Sequence, residues 1–348
     1  MTAEQPFPII GILAGVSKKN KLFHGEAVSF KNLQKQIQLK GGLCFVFTME
    51  NMMNGFIYSF AKGQWAKVTV PIPHVVYNRV PTRDEEESEQ FKEKLQILKK
   101  HSTIVNPSFF NKWTTHQILS LNPKIHPYLP NAAPLTDSEC FFSMLDQFGS
   151  LYLKPVNESK GKGILKVTQK NNDYFIENKR QRSSSLTKEA LWKKIESVTY
   201  NSSYMMQETI SSDLIDSKKY DVRILAVNNG NKFSIAGMGL RVSNGHSIVT
   251  HVPNGGTIAS IKKIEKKIRQ IELQNLMNEV GNTLIENLGT LAEFSIDLGI
   301  DCDCSYFIYE VNSKPMVFDE GDIQAKRYKD LYNFFYKEAQ KQTNLFNK

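Results

Sequence analysis

Two apolar runs near the end of the chain, each carrying one acidic residue, constrain the fold more than any other feature. The runs FSIDLGI and YFIYEV flank the polar segment DCDCS, and this pattern predicts a β-hairpin packed against the rest of the protein. If residues 301–304 form the turn, Asp297 lies across from Glu310, and Asn312 shares the face of Glu310 because it follows two residues later. The sequence therefore predicts two carboxylates and one amide oxygen on one face of the hairpin.

The opposed acids of this hairpin need a positive partner, because like charges placed opposite each other destabilise a sheet. Hard oxygen ligands that leave positions for water and phosphate suit Mg²⁺, so we expect Asp297, Glu310 and Asn312 to hold it. The alternative is two solvated acids on an exposed sheet face, and the apolar residues of both strands argue against it. Cys302 and Cys304 have no second Cys or His pair nearby in sequence, which indicates a turn rather than another metal site.

A lysine- and glycine-rich segment, KPVNESKGKG, separates two strand-like runs. Lys154 ends the first run, and glycine in the loop permits the φ values with which successive backbone N–H groups turn toward an anion. A Walker A loop would need Gly-Lys followed by Ser or Thr and a helix, whereas here another glycine and a strand follow. The segment predicts either a hairpin flap over phosphate groups or a solvated basic hairpin. The flap would consist of Ser159, Lys160, Gly161, Lys162 and Gly163.

Composition narrows the function classes without choosing one. The 348 residues suffice for two or three domains with their own cores, and the net charge of +9 favours anionic partners such as nucleotides. No apolar run approaches the ~20 residues that cross a bilayer, and the N-terminus lacks the basic region of a signal peptide. Four cysteines without metal-type spacing fit a reducing cytosol. We see no zinc-finger or RNA-binding aromatic signature, so nucleic acid is not an expected partner.

The order of the runs predicts an α/β protein that opens with a strand–helix–strand unit. We expect an N-terminal α/β domain over residues 1–105, a small subdomain with the flap over 106–205, and a large subdomain with the acidic hairpin and a C-terminal helix over 206–348. Locally, we expect Asn54-Gly55 to form a hairpin turn. We also expect continuous helices over 84–100 and 258–288.

The segments KPVNESKGKG, MMQETI, YDVRILAV, AGMGLRV, THVPNGG and IDLGI…YFIYEVNSKP occur in the order seen in ATP-grasp proteins. Together with NRVPTR, they resemble the YheC/YheD-type endospore coat-associated proteins, and the arrangement is similar to glutathione synthetase and ribosomal-protein glutamate ligases. The resemblance covers roughly residues 75–320. It implies an α/β ATP-grasp fold with an N-terminal pre-ATP-grasp domain, and it implies ATP and one or two Mg²⁺ ions as cofactors.

The resemblance also implies a nucleotide site. Lys112 and Lys154 would be the two nucleotide lysines, and residues 159–163 would cover the β- and γ-phosphates. A hinge would read the adenine through its backbone, with Glu208 as the nearby acid. The hinge residues are Gln207, Glu208, Thr209 and Ile210.

Catalytic side chains are implied by the same resemblance. Arg223 and Arg241 would grip the γ-phosphate and a substrate carboxylate, since a guanidinium binds two oxygens at once; the alternative for each is a surface salt bridge. His251 stands near the place, in HVPNGG, where many relatives carry an Asn before Gly-Gly, and it would either donate a hydrogen bond to phosphate or substrate or be an inert loop residue. Arg79 and Arg83 are open candidates for substrate binding.

The implied activity is ATP-dependent ligation of a carboxylate to an amine through an acylphosphate, with small-molecule or peptide substrates and a role in spore formation. The alternative is a spore-coat-associated structural or regulatory protein that binds nucleotide without turnover. By the same likeness, we expect a cytoplasmic location with spore-coat association.

Overall fold

The computed structural model describes residues 5–17, 21–159, 161–178, 181, 183–244, 250, 255–316, 318 and 321–346. Three β-sheets with helices packed on them make up this part of the chain. Its helices include none that is both long and apolar enough to cross a membrane.

The N-terminal sheet has six strands. Its elements are β1 (Ile9–Leu13), α1 (Ala27–Gln38), β2 (Leu43–Phe47), β3 (Asn54–Ser59), β4 (Gln64–Thr69), β5 (Val75–Asn78), α2 (Arg83–Glu87), α3 (Glu89–Lys99) and β6 (Thr103–Val105). The strand order is β4-β3-β2-β1-β5-β6. β1, β2, β5 and β6 are parallel, and β3 and β4 add an antiparallel edge. The apolar runs of β1 and β2 are buried on both faces, as parallel strands require, so the predicted strand–helix–strand opening is confirmed.

Two local predictions in this part are wrong. The Asn54-Gly55 pair begins β3, where its backbone pairs with β4, and the turn between the two strands uses Gly63 at φ +67°. The helix predicted over 84–100 is two helices, because Ser88 has an extended backbone at ψ 140°. The Ser88 hydroxyl accepts a 3.3 Å hydrogen bond from the first turn of α3 and so starts a new helix.

The second sheet is antiparallel and carries the glycine-rich loop. Its elements are α4 (Lys112–Ser120), β7 (Ala132–Pro134), α5 (Ser138–Phe148), β8 (Ser150–Pro155), β9 (Leu165–Lys170), β10 (Asp173–Glu177), α6 (Lys188–Thr199) and β11 (Tyr204–Glu208). The strand order is β10-β9-β8-β11-β7. Apolar residues of α5 and α6, among them Phe141, Leu145 and Leu191, form one core with the sheet. The glycine-rich loop joins β8 to β9 as an antiparallel hairpin, as predicted.

The third sheet holds the acidic hairpin. Its elements are β12 (Leu214–Ile215), β13 (Lys218–Asn228), β14 (Phe233–Val242), β15 (Thr257–Ala259), α7 (Gln270–Leu288), β16 (Glu293–Ile300), β17 (Tyr306–Asn312) and α8 (Gly321–Phe346). The main order is β15-β14-β13-β16-β17, with β12 paired to β13. α7 packs against the sheet where Gly281 meets the Phe233 ring; a Cβ there would lie 2.1 Å from a ring carbon. Both predicted hairpins, β13–β14 and β16–β17, are confirmed.

The continuous helix predicted over 258–288 is wrong. Its first residues form β15, a 3₁₀ segment follows over 261–267, and α7 starts only at Gln270. The break has a non-local cause: the Tyr306 hydroxyl donates to the Lys267 carbonyl and accepts from the Arg269 N–H, each at 2.7 Å. Ile268 between them takes an extended conformation.

A buried charge cluster joins the N-terminal sheet, the third sheet and α8. Glu293, with no exposed surface, accepts hydrogen bonds from Arg327 Nε at 2.7 Å and Nη2 at 2.6 Å. It also accepts from Arg79 Nη1 at 3.1 Å and the Tyr77 hydroxyl at 2.5 Å. Arg79 extends the cluster to Glu26 at 2.8 Å. α8 contacts strands of both the N-terminal sheet and the third sheet. The domain boundaries expected near residues 105 and 205 therefore remain predictions.

Candidate functional site

The acidic hairpin brings its predicted residues together. Asp297 pairs with Glu310 and Ser295 pairs with Asn312 in the β16–β17 register. Asp297 is 3% exposed, and the Glu310 side chain is 15% exposed. The alternative of two solvated acids is therefore contradicted by the burial of both.

Two arginines hold Asp297 from β13 and β14. Arg223 forms a two-pronged contact with Asp297, Nε to Oδ1 at 2.8 Å and Nη2 to Oδ2 at 2.9 Å. Arg241 places Nη2 2.9 Å from Asp297 Oδ2 and also forks onto Asp221 at 2.6 and 2.7 Å. Burial alone would lower the pKa of Arg241, but the charges of Asp297 and Asp221 outweigh it and raise that pKa. Both arginines lie at the acidic face, so neither is a surface salt bridge.

The two predicted lysines meet the same face from the second sheet and α4. Lys112, the first residue of α4, has its ammonium 3.2 Å from Glu310 Oε1 and donates to the Glu158 carbonyl. Lys154, on β8, donates to Gln207 Oε1 and, at 3.3 Å, to the Tyr309 carbonyl. Burial lowers the pKa of Lys154 to about 8, although the charge of Glu310 acts in the opposite direction.

The hinge residues occupy the end of β11 and the loop after it. The backbone N–H groups of Glu208 and Thr209 donate to carbonyls of the chain at 2.9 and 3.0 Å, and Glu208 Oε1 accepts from the Asn131 N–H at 2.9 Å. In the described part of the chain, the N–H of Ile210 has no such acceptor. This N–H therefore remains available to donate to a ligand.

The flap conformation requires its glycines. Gly161 and Gly163 have φ values of +66° and +71°, where side chains other than glycine are strained. Lys162 forms an exposed ion pair with Glu158 at 2.9 Å. Lys160 and His251 lie outside the described residues, and their roles stay predictions.

Two cavities meet at Glu310. The first has a volume of about 100 Å³ and opens to solvent. It is lined by Tyr152, Lys154, Ile164, Gln207, Glu208, Ile210, Ser212, Lys219, Tyr220, Asp221, Thr250, Asp297, Tyr309 and Glu310. The second has a volume of about 250 Å³ and lies beside the N-terminal sheet. Its polar lining includes Glu26, Arg79, Arg83, Lys112, Glu158, Ser159, Arg223, Ser295, Glu310, Asn312, Ser313 and Lys314.

The donor set at this junction fits Mg²⁺. No group of three His, Cys, Asp or Glu side chains lies together in the described ranges, so the protein ligands would be two carboxylates and the Asn312 amide. Other positions would fall to phosphate oxygens and water, as Mg²⁺ commonly accepts. The Asp297 carboxylate would bind Mg²⁺ and the two arginines at the same time, since each carboxylate oxygen can accept more than one partner.

Sequence reasoning missed several residues that line the junction. Asp221 anchors Arg241 from the neighbouring strand, and Tyr309 supplies a carbonyl to Lys154. Ser295 could have been predicted from the sequence, because it precedes Asp297 by two residues on a strand and so shares its face.

Comparisons with known proteins agree with this architecture. A family model described as YheC/D like ATP-grasp matches residues 101–340. Endospore coat-associated protein YheD of Bacillus subtilis (strain 168) is 26% identical over 340 residues, which cover 88% of this chain and 72% of YheD.

Solved structures share the fold at low sequence identity. The D-alanine-D-alanine ligase from Coxiella burnetii superposes with a TM-score of 0.56 at 13% identity, covering 97% of this chain and 98% of the ligase. The ATP-grasp ligase PsnB, complexed with a minimal precursor, gives a TM-score of 0.52 at 12% identity, over 88% of this chain and 91% of PsnB. The predicted α/β ATP-grasp fold is confirmed, and with more than half of its residues matched by the family model, the chain belongs to the YheC/D-like ATP-grasp family.

Proposed function

We propose that this protein is an ATP- and Mg²⁺-dependent carboxylate–amine ligase. The observation that carries the proposal is the position of Glu310, which lines both cavities and lies 3.2 Å from the Lys112 ammonium. A nucleotide in the first cavity would bring its γ-phosphate to this junction, where a substrate in the second cavity would meet it. The fold shared with a D-alanine-D-alanine ligase supports the reaction class.

We expect the nucleotide to be held by the hinge, the two lysines and the flap. The Ile210 N–H would bind the base edge, Lys112 and Lys154 would bind the phosphates, and residues 159–163 would cover them. Asp297, Glu310 and Asn312 would hold one or two Mg²⁺ ions, which would supply neutralising charge for the phosphate oxygens. Positioning and charge stabilisation then supply most of the rate enhancement.

The reaction would proceed in two displacements. An oxygen of the substrate carboxylate bonds to the γ-phosphorus while the bond from that phosphorus to the β–γ bridging oxygen breaks, so ADP leaves and an acylphosphate forms. An amine nitrogen then bonds to the acyl carbon, the carbon–oxygen bond to phosphate breaks, and the amine releases a proton. No side-chain nucleophile takes part in either step.

The arginines differ in how far they reach toward substrate. Arg223 lines the second cavity, which supports a contact with the γ-phosphate or the reacting carboxylate. Arg241 is 5% exposed and is committed to Asp221 and Asp297, which supports a positioning role. His251 stays a proposed donor to phosphate or substrate.

The biological setting of the proposal comes from relatives. YheD is named for its association with the endospore coat, and we propose a role in spore formation, in the cytoplasm and at the coat. PsnB is described in complex with a precursor, which supports a peptide or a small molecule as the substrate.

Release of ADP tests the ligase proposal directly. Purified protein with Mg-ATP and pooled amino acids and peptides is expected to release ADP only when acceptors are present, and mass spectrometry is expected to find a condensed product. Nucleotide binding without ADP release for any pool would instead support a structural or regulatory coat-associated protein.

Lys154→Met is expected to weaken ATP binding about 10-fold, the value of one charge-assisted contact. Because the pKa of Lys154 is lowered to about 8, the free protein loses this positive charge as the pH rises through that value. Wild-type affinity is therefore expected to be constant below pH 8 and to fall above it, whereas the variant is expected to show no such fall. Calorimetry with the non-hydrolysable analogue AMPPNP, from about pH 6.5 to about pH 9.5, measures the affinity of the wild type and of the variant at each pH.

The matched control is Lys170→Met, which removes the same charge from an exposed strand end. It is expected to leave the affinity and its pH dependence unchanged. A wild-type affinity that does not change across pH 8 would contradict the assigned role of Lys154.

A further inference from the structure

Among the described residues, one cation that lines the second cavity has no carboxylate within ion-pair distance. Five cationic side chains line it, and four are held by acids in the described structure: Arg79 by Glu26 and Glu293, Lys112 by Glu310, Arg223 by Asp297, and Lys314 by Glu86. The fifth, Arg83, has no ion pair among the described residues. The charges of Glu86, Glu87, Glu310 and Glu158 act on Arg83 from beyond ion-pair distance, but none of these carboxylates occupies its donors, which can therefore bind an anion in the cavity.

Contacts with the protein position Arg83 but occupy only part of its hydrogen-bonding capacity. Its Nη2 donates to the Phe110 carbonyl, and its guanidinium carbon lies 5.1 Å from the centre of the Phe109 ring. Burial lowers the pKa of Arg83, yet an arginine stays charged in proteins. A guanidinium has five N–H donors, so several remain for a ligand in the cavity.

Two buried hydroxyls point to the same conclusion independently. Ser295 is 1% exposed and Ser313 is 2% exposed, and both line the second cavity. In the part of the chain that the structure describes, neither hydroxyl oxygen has a hydrogen-bond partner. Each oxygen has an accessible surface below 1 Å² here, and since buried polar groups are normally paired, each would gain a partner if its side chain rotated toward a polar ligand in the cavity.

We infer that the second cavity binds a substrate with two carboxylates, such as an acidic amino acid or peptide. One carboxylate reacts at the junction beside Lys112 and Glu310, and Arg83 holds the other, with Ser295 and Ser313 bonding to polar atoms between them. This inference rests on the proposed ligase function and makes Arg83 the residue that selects the substrate class.

Binding of five-carbon probes tests the inference without turnover. In the presence of Mg-AMPPNP, the wild type is expected to bind glutarate, which has two carboxylates, at least about 10-fold more tightly than valerate, which has one. Arg83→Gln is expected to abolish this preference while its affinity for AMPPNP stays within about twofold. Arg83→Lys, which keeps the charge but not the planar fork, is expected to retain part of it.

Two further variants separate ligand binding from structural support. Arg269→Gln removes a partly exposed arginine paired with Glu272 and is expected to leave probe binding unchanged. Ser313→Ala is expected to weaken binding of the dicarboxylate about threefold without lowering the Tm, because it deletes an unpaired hydroxyl. In turnover, Arg83→Gln is expected to raise KM about 10-fold with kcat within about threefold.

The outcomes distinguish this inference from the ligase proposal. A wild type without preference for glutarate over valerate, or an Arg83→Gln variant that keeps the preference, would overturn the assignment of Arg83 even if ADP is released. A preference that depends on Arg83, in a protein that never releases ADP, would support the site and contradict the ligase activity.

Discussion

Replacing Glu310 with glutamine is expected to lower kcat for ADP release roughly 1,000-fold, equivalent to about 4 kcal/mol of transition-state stabilisation. Glutamine keeps the size of the side chain but removes the negative charge that would hold Mg²⁺ against the phosphates. Glu310 also lies 3.2 Å from Lys112, so the substitution frees one phosphate-binding lysine from its counter-ion. The loss of activity is therefore expected without a comparable loss of nucleotide affinity.

Glu286→Gln is the matched control for this variant, because Glu286 is an exposed acid on α7. It is expected to retain wild-type kcat. The measurement is steady-state ADP release, with circular dichroism to show that both variants are folded and AMPPNP titration to show that they bind nucleotide. A folded Glu310→Gln protein that keeps kcat within about threefold of the wild type would contradict the proposed metal site.

The hairpin that carries Glu310 could be predicted because its signals are local: apolar alternation and a polar turn. The structure has the predicted Asp297–Glu310 pair, but a turn over 301–304 followed by a regular ladder would have paired residue 297 with residue 308. A regular ladder outward from the Ile300–Tyr306 pair would oppose Asp297 to Tyr309, and a bulge beside Leu298 makes Glu310 the partner instead. Bulges often re-aim side chains next to functional sites.

The arginine contacts show a similar limit. A regular β13–β14 hairpin extended from the Asn228–Phe233 pair would oppose Asp221 to Leu240, and the register shift after Leu225 brings Arg241 opposite instead. The contact of Arg223 with Asp297 joins strands 74 residues apart in sequence. No local pattern predicts such a pair, so Arg223 could be singled out only through the family resemblance.

The helix predicted over 258–288 failed for a related reason. Its sequence suits a helix, but Tyr306 in the third sheet binds the backbone on both sides of Ile268 and tertiary contacts override helix propensity. Ser88, by contrast, divides the helix predicted over 84–100 through a local cap that the sequence contained. Long-range contacts thus account for most of what the sequence did not disclose about the site and its surroundings.

Replacing Glu293 with glutamine is expected to destabilise the protein by about 3–5 kcal/mol, the usual cost of breaking a buried ion pair. The variant would leave the Arg327 guanidinium, 1% exposed, without its carboxylate, whereas Arg79 would keep Glu26. Burial would raise the pKa of Glu293, but Arg327 and Arg79 outweigh it and hold that pKa below its usual 4.5. The stabilisation is therefore fully present above pH 4.5 and is lost as the pH falls through the lowered pKa, so the difference between variant and wild type is expected to shrink in acid.

Urea unfolding followed by circular dichroism measures this effect, and two comparisons identify its cause. Glu272→Gln breaks a partly exposed pair with Arg269 and is expected to cost less than about 1 kcal/mol. The double variant Glu293→Gln/Arg327→Met removes both members of the buried pair and is expected to recover part of the lost stability, since no uncompensated charge then remains on α8. If the double variant were less stable than Glu293→Gln alone, the cluster would contribute mainly through packing. If Glu293→Gln stayed within about 1 kcal/mol of the wild type, the cluster would not join α8 to the N-terminal sheet as argued.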